Sequence, residues 1–268
     1  MTEHPSLDSY FSEKTRQHVK DLVTYFETST DDQERRTAYL NGVEPYSRLA
    51  AVLVLLFERD GVLRVLMTMR GKNLKTHGGQ SSLPGGKMDV EDNRDVVATA
   101  YREAHEEVSL PRTCAHIHTL GTLDLQPFHH LVVAPVVALL TDNSVLDELV
   151  PHKGEVDHIF SHPLEAFLNP SLAADLETLV PRGSDYWPYE SRYHHHKDHV
   201  IKELGGTTYR LHAFQTSASP ITGFTADIMI RVAEIAYQRE AEYERYAVDQ
   251  IRSSQAWVEA FEQRLLKS

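Results

Sequence analysis

The chain has 268 residues, 41% of them apolar and 25% charged, which is the composition of a globular protein of one sizeable domain or at most two small ones. A formal charge of -12 repels nucleic-acid backbones and anionic membranes, so neither is expected as a partner, and an anionic small substrate needs a local cation. A single cysteine, Cys114, excludes an internal disulfide, and no apolar run reaches the length of a membrane span.

Val19, Leu22, Val23 and Phe26 recur at helical spacing and predict a helix from about Ser12 to Thr28, ended by the polar run Thr28 to Asp32. The first 25 residues contain no hydrophobic segment of the signal-peptide kind. Ala50 to Phe57 and Val62 to Met67 are apolar runs around Asp60-Gly61, the pattern of a hairpin. Arg70, Lys72, Lys75 and His77 then gather positive charge in an acidic chain, as a solvated loop or as a group suited to phosphate.

Leu83-Pro84-Gly85-Gly86-Lys87 reads as a glycine turn feeding a helix, with the two glycines allowing close approach of a ligand to the backbone. In that helix Val97, Ala100, Ala104 and Val108 share a stripe roughly 80° wide, the core face. Glu103, Glu106 and Glu107, at i, i+3 and i+4, share another face centred about 120° away. Three such carboxylates repel one another unless a cation sits among them or water screens them, and both readings stand at this point.

Ile117 to Leu125 and Leu131 to Leu140 read as strands, with Pro127 and the His129-His130 pair in a loop between them. The segment from Trp187 to His199, with Tyr189, Arg192, Tyr193, His194-His195-His196 and Lys197, reads as a polar surface loop, or else as a lid that stacks a base and contacts phosphates. Beyond Thr225 the chain reads as helical to its end. Its apolar face of Tyr243, Tyr246, Val248, Ile251, Trp257, Phe261 and Leu265 must either dock on the chain or form a homodimer.

Arg102-Glu103-x-x-Glu106-Glu107 resembles the second half of the Nudix box, G-x5-E-x7-R-E-U-x-E-E-x-G-U, where U is aliphatic. Counting back from Arg102, the acidic position of the box falls on Arg94 and its glycine on Met88, whereas Gly86 and Asp92 keep the front spacing; a two-residue insertion accounts for both. Asp92 is then either the stand-in for the first acidic residue or an N-cap to the helix, and Ser109 replaces the last glycine. Leu66-Met67-Thr68-Met69-Arg70, Gly79-Gln80 and Leu83-Pro84-Gly85-Gly86 resemble the extra motif of the coenzyme A diphosphatase branch of that family, with likenesses continuing through Glu155-Val156, Pro163-Leu164 and Ile221 to Ala226.

This resemblance implies an α/β Nudix fold, a mixed β-sheet sandwiched between helices, over residues 46–240, with helical extensions at 1–45 and 241–268. It implies that Glu103, Glu106, Glu107 and the Gly85 carbonyl hold Mg²⁺ or Mn²⁺, the hard cations that oxygen ligands select, with Arg102 orienting a glutamate. Arg70, Lys75, Gln80, Gly85 and Gly86 are the substrate-binding residues it implies. The expected activity is hydrolysis of coenzyme A or its derivatives to 3′-phospho-AMP and 4′-phosphopantetheine. The alternatives are a diphosphatase for oxidised nucleoside triphosphates and a non-catalytic ligand-binding scaffold. The expected compartment is the cytoplasm, peroxisome or mitochondrion, with no clear targeting signal.

Overall fold

A computed structural model of the chain describes residues 6–74, 76–202 and 206–265. The first two apolar runs form β1 (Leu49–Arg59) and β2 (Val62–Arg70), an antiparallel hairpin. Asp60 and Gly61 make the two-residue turn, both with positive φ (56° and 73°), as the twist of a tight hairpin demands. Four short strands follow in the chain: β3 (Ser81–Ser82), β4 (Gly85–Lys87), β5 (Ile117–Thr122) and β6 (Gln126–Phe128). The longer β7 (Leu131–Leu140) and β8 (Val156–Pro163) complete a mixed sheet in the order β3-β2-β1-β7-β5, with β4 also on β1, β6 on β7 and β8 on β2. Among the described residues only the β1–β7 pair of this sheet is parallel.

The near-continuous hydrophobicity of β1 follows from burial on both faces. Ala50, Val52, Val54 and Leu56 enter one core; Leu49, Ala51, Leu53, Leu55 and Phe57 enter the other. The first core is closed by α1 (Glu13–Thr28) and α6 (Gly223–Tyr237), the second by α3 (Val96–Val108). The predicted N-terminal helix is α1, with Val19, Leu22 and Phe26 buried and Val23 only partly so. The polar run after Thr28 does not end helical structure: α2 (Thr30–Gly42) starts at once, because Gln33 and Arg36 find partners on the sheet. Gln33 Nε2 and Arg36 Nη1 donate to the Thr122 carbonyl, both at 2.8 Å.

α4 (Ser144–Asp147) and α5 (Ala173–Leu176) are single turns. The segment read as a polar loop is instead built into a second antiparallel sheet of β9 (His194–Ile201), β10 (Thr207–Phe214) and β11 (Ile221–Thr222). Trp187 anchors its approach, fully buried and donating from Nε1 to the Ser191 carbonyl at 2.7 Å. The continuous C-terminal helix is also corrected. After α6, Gln238 turns left-handed (φ 50°), and helix returns only at α7 (Ser254–Leu265). Tertiary bonds fix the intervening chain in bends and a turn: Tyr243 Oη donates to the Phe167 carbonyl at 2.6 Å, and Gln250 Oε1 accepts from the Arg210 N–H at 2.9 Å. α7 docks on the chain itself, burying Val258 and Phe261, with Trp257 over Tyr209 and Glu262 receiving Arg48 Nη2 at 2.7 Å and Tyr39 Oη at 3.1 Å. The side chain of Leu265 lies outside the described residues. Among the described residues no helix is long and apolar enough to cross a membrane.

Candidate active site

α3 presents the acidic box half. Asp95 caps it, its carboxylate accepting the Val97 N–H at 2.8 Å, so the capping role open to Asp92 belongs to Asp95. At the other end Ser109 takes the left-handed conformation (φ 61°) that a glycine would adopt without strain. Ala100, Ala104 and Val108 enter the core as the stripe predicts, whereas Val97 is only partly buried and its neighbour Val96 is buried in its stead. The carboxylate face, too, is not wholly left to water. Arg102 and Glu107 are themselves buried, because β4 and the loop after it lie across them.

The glycine pair is a strand rather than a turn, and α3 begins nine residues beyond Lys87. The room the glycines leave is taken up by the protein. A Cβ on Gly85 would sit 2.4 Å from the Ala51 carbonyl oxygen, and one on Gly86 would sit 2.5–2.6 Å from the Glu103 carboxylate. Only glycine lets β4 press against β1 on one side and α3 on the other.

Arg102 is the hub. Its Nε and Nη2 donate to the two oxygens of Asp92, each at 2.9 Å; Nη2 also donates to the Lys87 carbonyl at 2.8 Å. Nη1 reaches Glu103 Oε1 at 3.0 Å and Glu106 Oε2 at 3.1 Å. Asp92 in turn accepts the Asp89 N–H at 2.8 Å and the Thr99 hydroxyl at 2.9 Å. Burial alone would push the Asp92 carboxyl up, but the Arg102 guanidinium and these donors bring it below its ordinary value. The same bonds hold the Arg102 pKa above its usual range. Asp92 is the residue that sequence reasoning left with two roles; its place ten residues before Arg102, across the insertion, is the signal.

Glu107 accepts the Gly85 N–H at 3.2 Å and lies 3.7 Å from Arg70 Nη1. Loss of water pushes its pKa up to about 7 against the opposing pull of Gly85 and Arg70. Glu103 is raised for the same reason, with Arg102 opposing and Glu106 adding to the rise. Glu106 is more open and also faces Arg112 at 3.4 Å.

Of the basic cluster, Arg70 is thus drawn to the carboxylates. Lys72 lies over the Tyr186 ring at 5.3 Å, its N–H donating to Asp157 at 3.0 Å, and His77 Nδ1 lies 3.0 Å from Gln80 Oε1. Lys75 lies outside the described residues. A groove of about 1470 Å³ along α6 and the chain after it is lined by none of the four box residues, so cavity size does not mark this site.

Among the described residues no three His, Cys, Asp or Glu side chains are gathered as a metal-holding group. Arginines occupy the carboxylates instead. The donor chemistry nevertheless fits a hard divalent cation. All the candidate donors are oxygens, and Glu103 and Glu107 are desolvated carboxylates, with Glu103 among the charges that raise the Glu107 pKa.

A family model described as NUDIX domain matches residues 47–183. Over 198 residues the chain is 38% identical to Nudix hydrolase 15, mitochondrial, of Arabidopsis thaliana, an overlap that takes in 71% of this chain and 59% of that protein's length. It is 36% identical over 189 residues to peroxisomal coenzyme A diphosphatase NUDT7 of Mus musculus, covering 68% of this chain and 76% of the relative. With peroxisomal coenzyme A diphosphatase ndx-8 of Caenorhabditis elegans it shares 34% identity over 188 residues, 69% of this chain and 67% of the other.

Proposed function

The chain belongs to the Nudix hydrolase family and has its fold, and on that premise we propose that it hydrolyses the pyrophosphate of coenzyme A or its derivatives to 3′-phospho-AMP and 4′-phosphopantetheine. The observation that carries this reading is the partly buried carboxylate face of α3, held by Arg102 against β4, next to the segment from Leu66 to Gly86 with the coenzyme A branch pattern. Likeness to two proteins named as coenzyme A diphosphatases supports the choice of substrate over oxidised nucleoside triphosphates.

Glu103, Glu106, Glu107 and the carbonyl of Gly85 would hold Mg²⁺ or Mn²⁺, which supplies charge neutralisation of the pyrophosphate and polarisation of water. Arg102 is a positioning residue: locked to Asp92 and Lys87, it fixes where Glu103 and Glu106 can go. Gly86 keeps the strand close enough for Glu103 to lie against it. Arg70, which lies 3.7 Å from Glu107, would serve the 3′-phosphate of the substrate together with Lys75 and Gln80 on the same connection.

The test is a substrate panel of coenzyme A, 3′-dephospho-coenzyme A and oxidised nucleoside triphosphates, run with Mg²⁺ and with Mn²⁺, on wild type and on Arg70→Ala and Lys75→Ala. Coenzyme A should have the highest kcat/KM. Each substitution should narrow the preference over the dephospho form by about tenfold, the scale of one charge-assisted contact. A preference for oxidised nucleoside triphosphates would replace the reading with the nucleotide-sanitising one.

A further inference from the structure

Four aromatic rings from three separate connections meet at the surface beside this site. His77 comes from the segment between β2 and β3, Phe128 and His129 from the end of β6 and its two-residue turn into β7, and Phe224 from the first turn of α6. Phe128 and Phe224 lie 5.0 Å apart, centre to centre, at 30°. His129 stands edge-on to Phe128 at 4.4 Å, and His77 lies 5.5 Å from Phe128 and 5.7 Å from His129. Both histidines are exposed, and the two phenylalanines are half-buried.

Phe128 and Phe224 pack against the first core, but core packing does not account for the two histidine rings set against them, which stand in water. His129 (φ 54°) is left-handed as the first residue of the two-residue turn that joins β6 to β7, and His77 (φ 55°) is left-handed in the loop between β2 and β3. The two turns, distant in sequence, bring these rings against one another and against Phe128.

The position ties the cluster to the carboxylates. His77 contacts the Gln80 side chain at 3.0 Å, the Gln80 carbonyl accepts the Arg70 N–H at 2.9 Å, and Arg70 reaches Glu107 at 3.7 Å. In a chain of net charge -12, a ring platform without carboxylates gives an anionic substrate a contact free of repulsion. Stacking of a base on an aromatic side chain is worth about 1–3 kcal/mol.

We propose that His77, Phe128, His129 and Phe224 form the platform on which the adenine base of the substrate stacks, an assignment that rests on the diphosphatase reading for the identity of the base. The test measures binding of the two product halves, adenosine 3′,5′-bisphosphate and 4′-phosphopantetheine, to the full chain with Mg²⁺, for wild type, His129→Asn and Phe224→Leu. Asparagine tolerates the left-handed turn, and leucine keeps most of the phenylalanine's volume. Each substitution should weaken the bisphosphate by about fivefold or more and leave 4′-phosphopantetheine unchanged. Where Phe224→Leu fails to fold, the pair His77→Asn with His129→Asn gives the same reading on exposed residues. Equal effects on both halves, or none on the bisphosphate, overturn the platform. Coenzyme A turnover by wild type is measured alongside. Turnover with bisphosphate binding untouched by the substitutions sinks the platform alone, whereas ring-dependent bisphosphate binding without turnover sinks the diphosphatase reading and keeps the platform.

Discussion

With its side chain only 8% exposed, the Arg102 guanidinium must have its charge and nearly all its donors answered inside the protein. Asp92, 3% exposed, answers two of them. Removing one partner of a buried pair leaves the other charge uncompensated, so Asp92→Ala should cost about 3–5 kcal/mol of stability and free the glutamates from their fixed arrangement. Arg94, the residue that simple counting puts at the acidic position, has its ion pair with Glu44 at the surface. Arg94→Ala should cost about 1 kcal/mol or less. Urea unfolding of the two variants checks this directly, and equal losses would mean that Asp92 is not the clamp. The sequence makes Arg102, Glu103, Glu106 and Glu107 legible because helical spacing alone sets them side by side. What each carboxylate touches was not legible, since Asp92, Lys87, Gly85 and Arg70 arrive from loops and strands whose approach depends on the whole sheet.

Among the elements, β1 and β7 were readable because burial on both faces leaves nearly unbroken apolar runs, and α1 because one face repeats Val19, Leu22 and Phe26. α2 was not, for its anchors are polar: Gln33 and Arg36 meet Thr122, almost ninety residues on. The histidine-rich β9 shows no buried alternation, and its order comes from pairing with β10. There the fully buried His212 donates from Nε2 to the Arg245 carbonyl at 2.8 Å, which leaves Nδ1 to accept from His194 Nε2 at 2.9 Å. His212 must be neutral for that chain of bonds, since its Nδ1 accepts while its Nε2 donates. Loss of water, with the neighbouring histidines, Arg210 and Arg245 adding to it, lowers the pKa to about 3 for His194 and about 4 for His212. An unfolded histidine takes its proton near 6.5, so the unfolded state binds more protons between that pH and about 4. The stability contributed by neutral His212 is therefore present above pH 6.5 and lost as pH falls, by about 2 kcal/mol at about pH 5. Denaturant unfolding at about pH 7.5 and about pH 5 should show this loss in wild type and a smaller one in His212→Gln. Equal losses in both would remove the pair from the acid sensitivity.

For the whole molecule, a net charge of -12 works against any anionic substrate, and the site answers it locally. Arg70 and Arg102 already stand against the carboxylates of α3, and a divalent cation there would carry the attraction further. The family was legible from one helix and the motif before it, which are local in sequence. The second sheet was not, nor was the choice of Arg48 and Tyr39 as the place where the C-terminal apolar face docks, because both depend on contacts made across the chain. The claim on which the account turns is that the buried carboxylates serve a cation and a reaction rather than the fold. Glu107→Gln tests it, since the amide keeps the shape and can still accept the Gly85 N–H while removing a desolvated charge. The measurement is coenzyme A hydrolysis against Mg²⁺ and Mn²⁺ concentration, with the melting temperature of the metal-free protein recorded beside it. The rate should fall at least about 10²-fold while the metal-free melting temperature stays equal to or above that of wild type. Near wild-type turnover with a lowered melting temperature would contradict it.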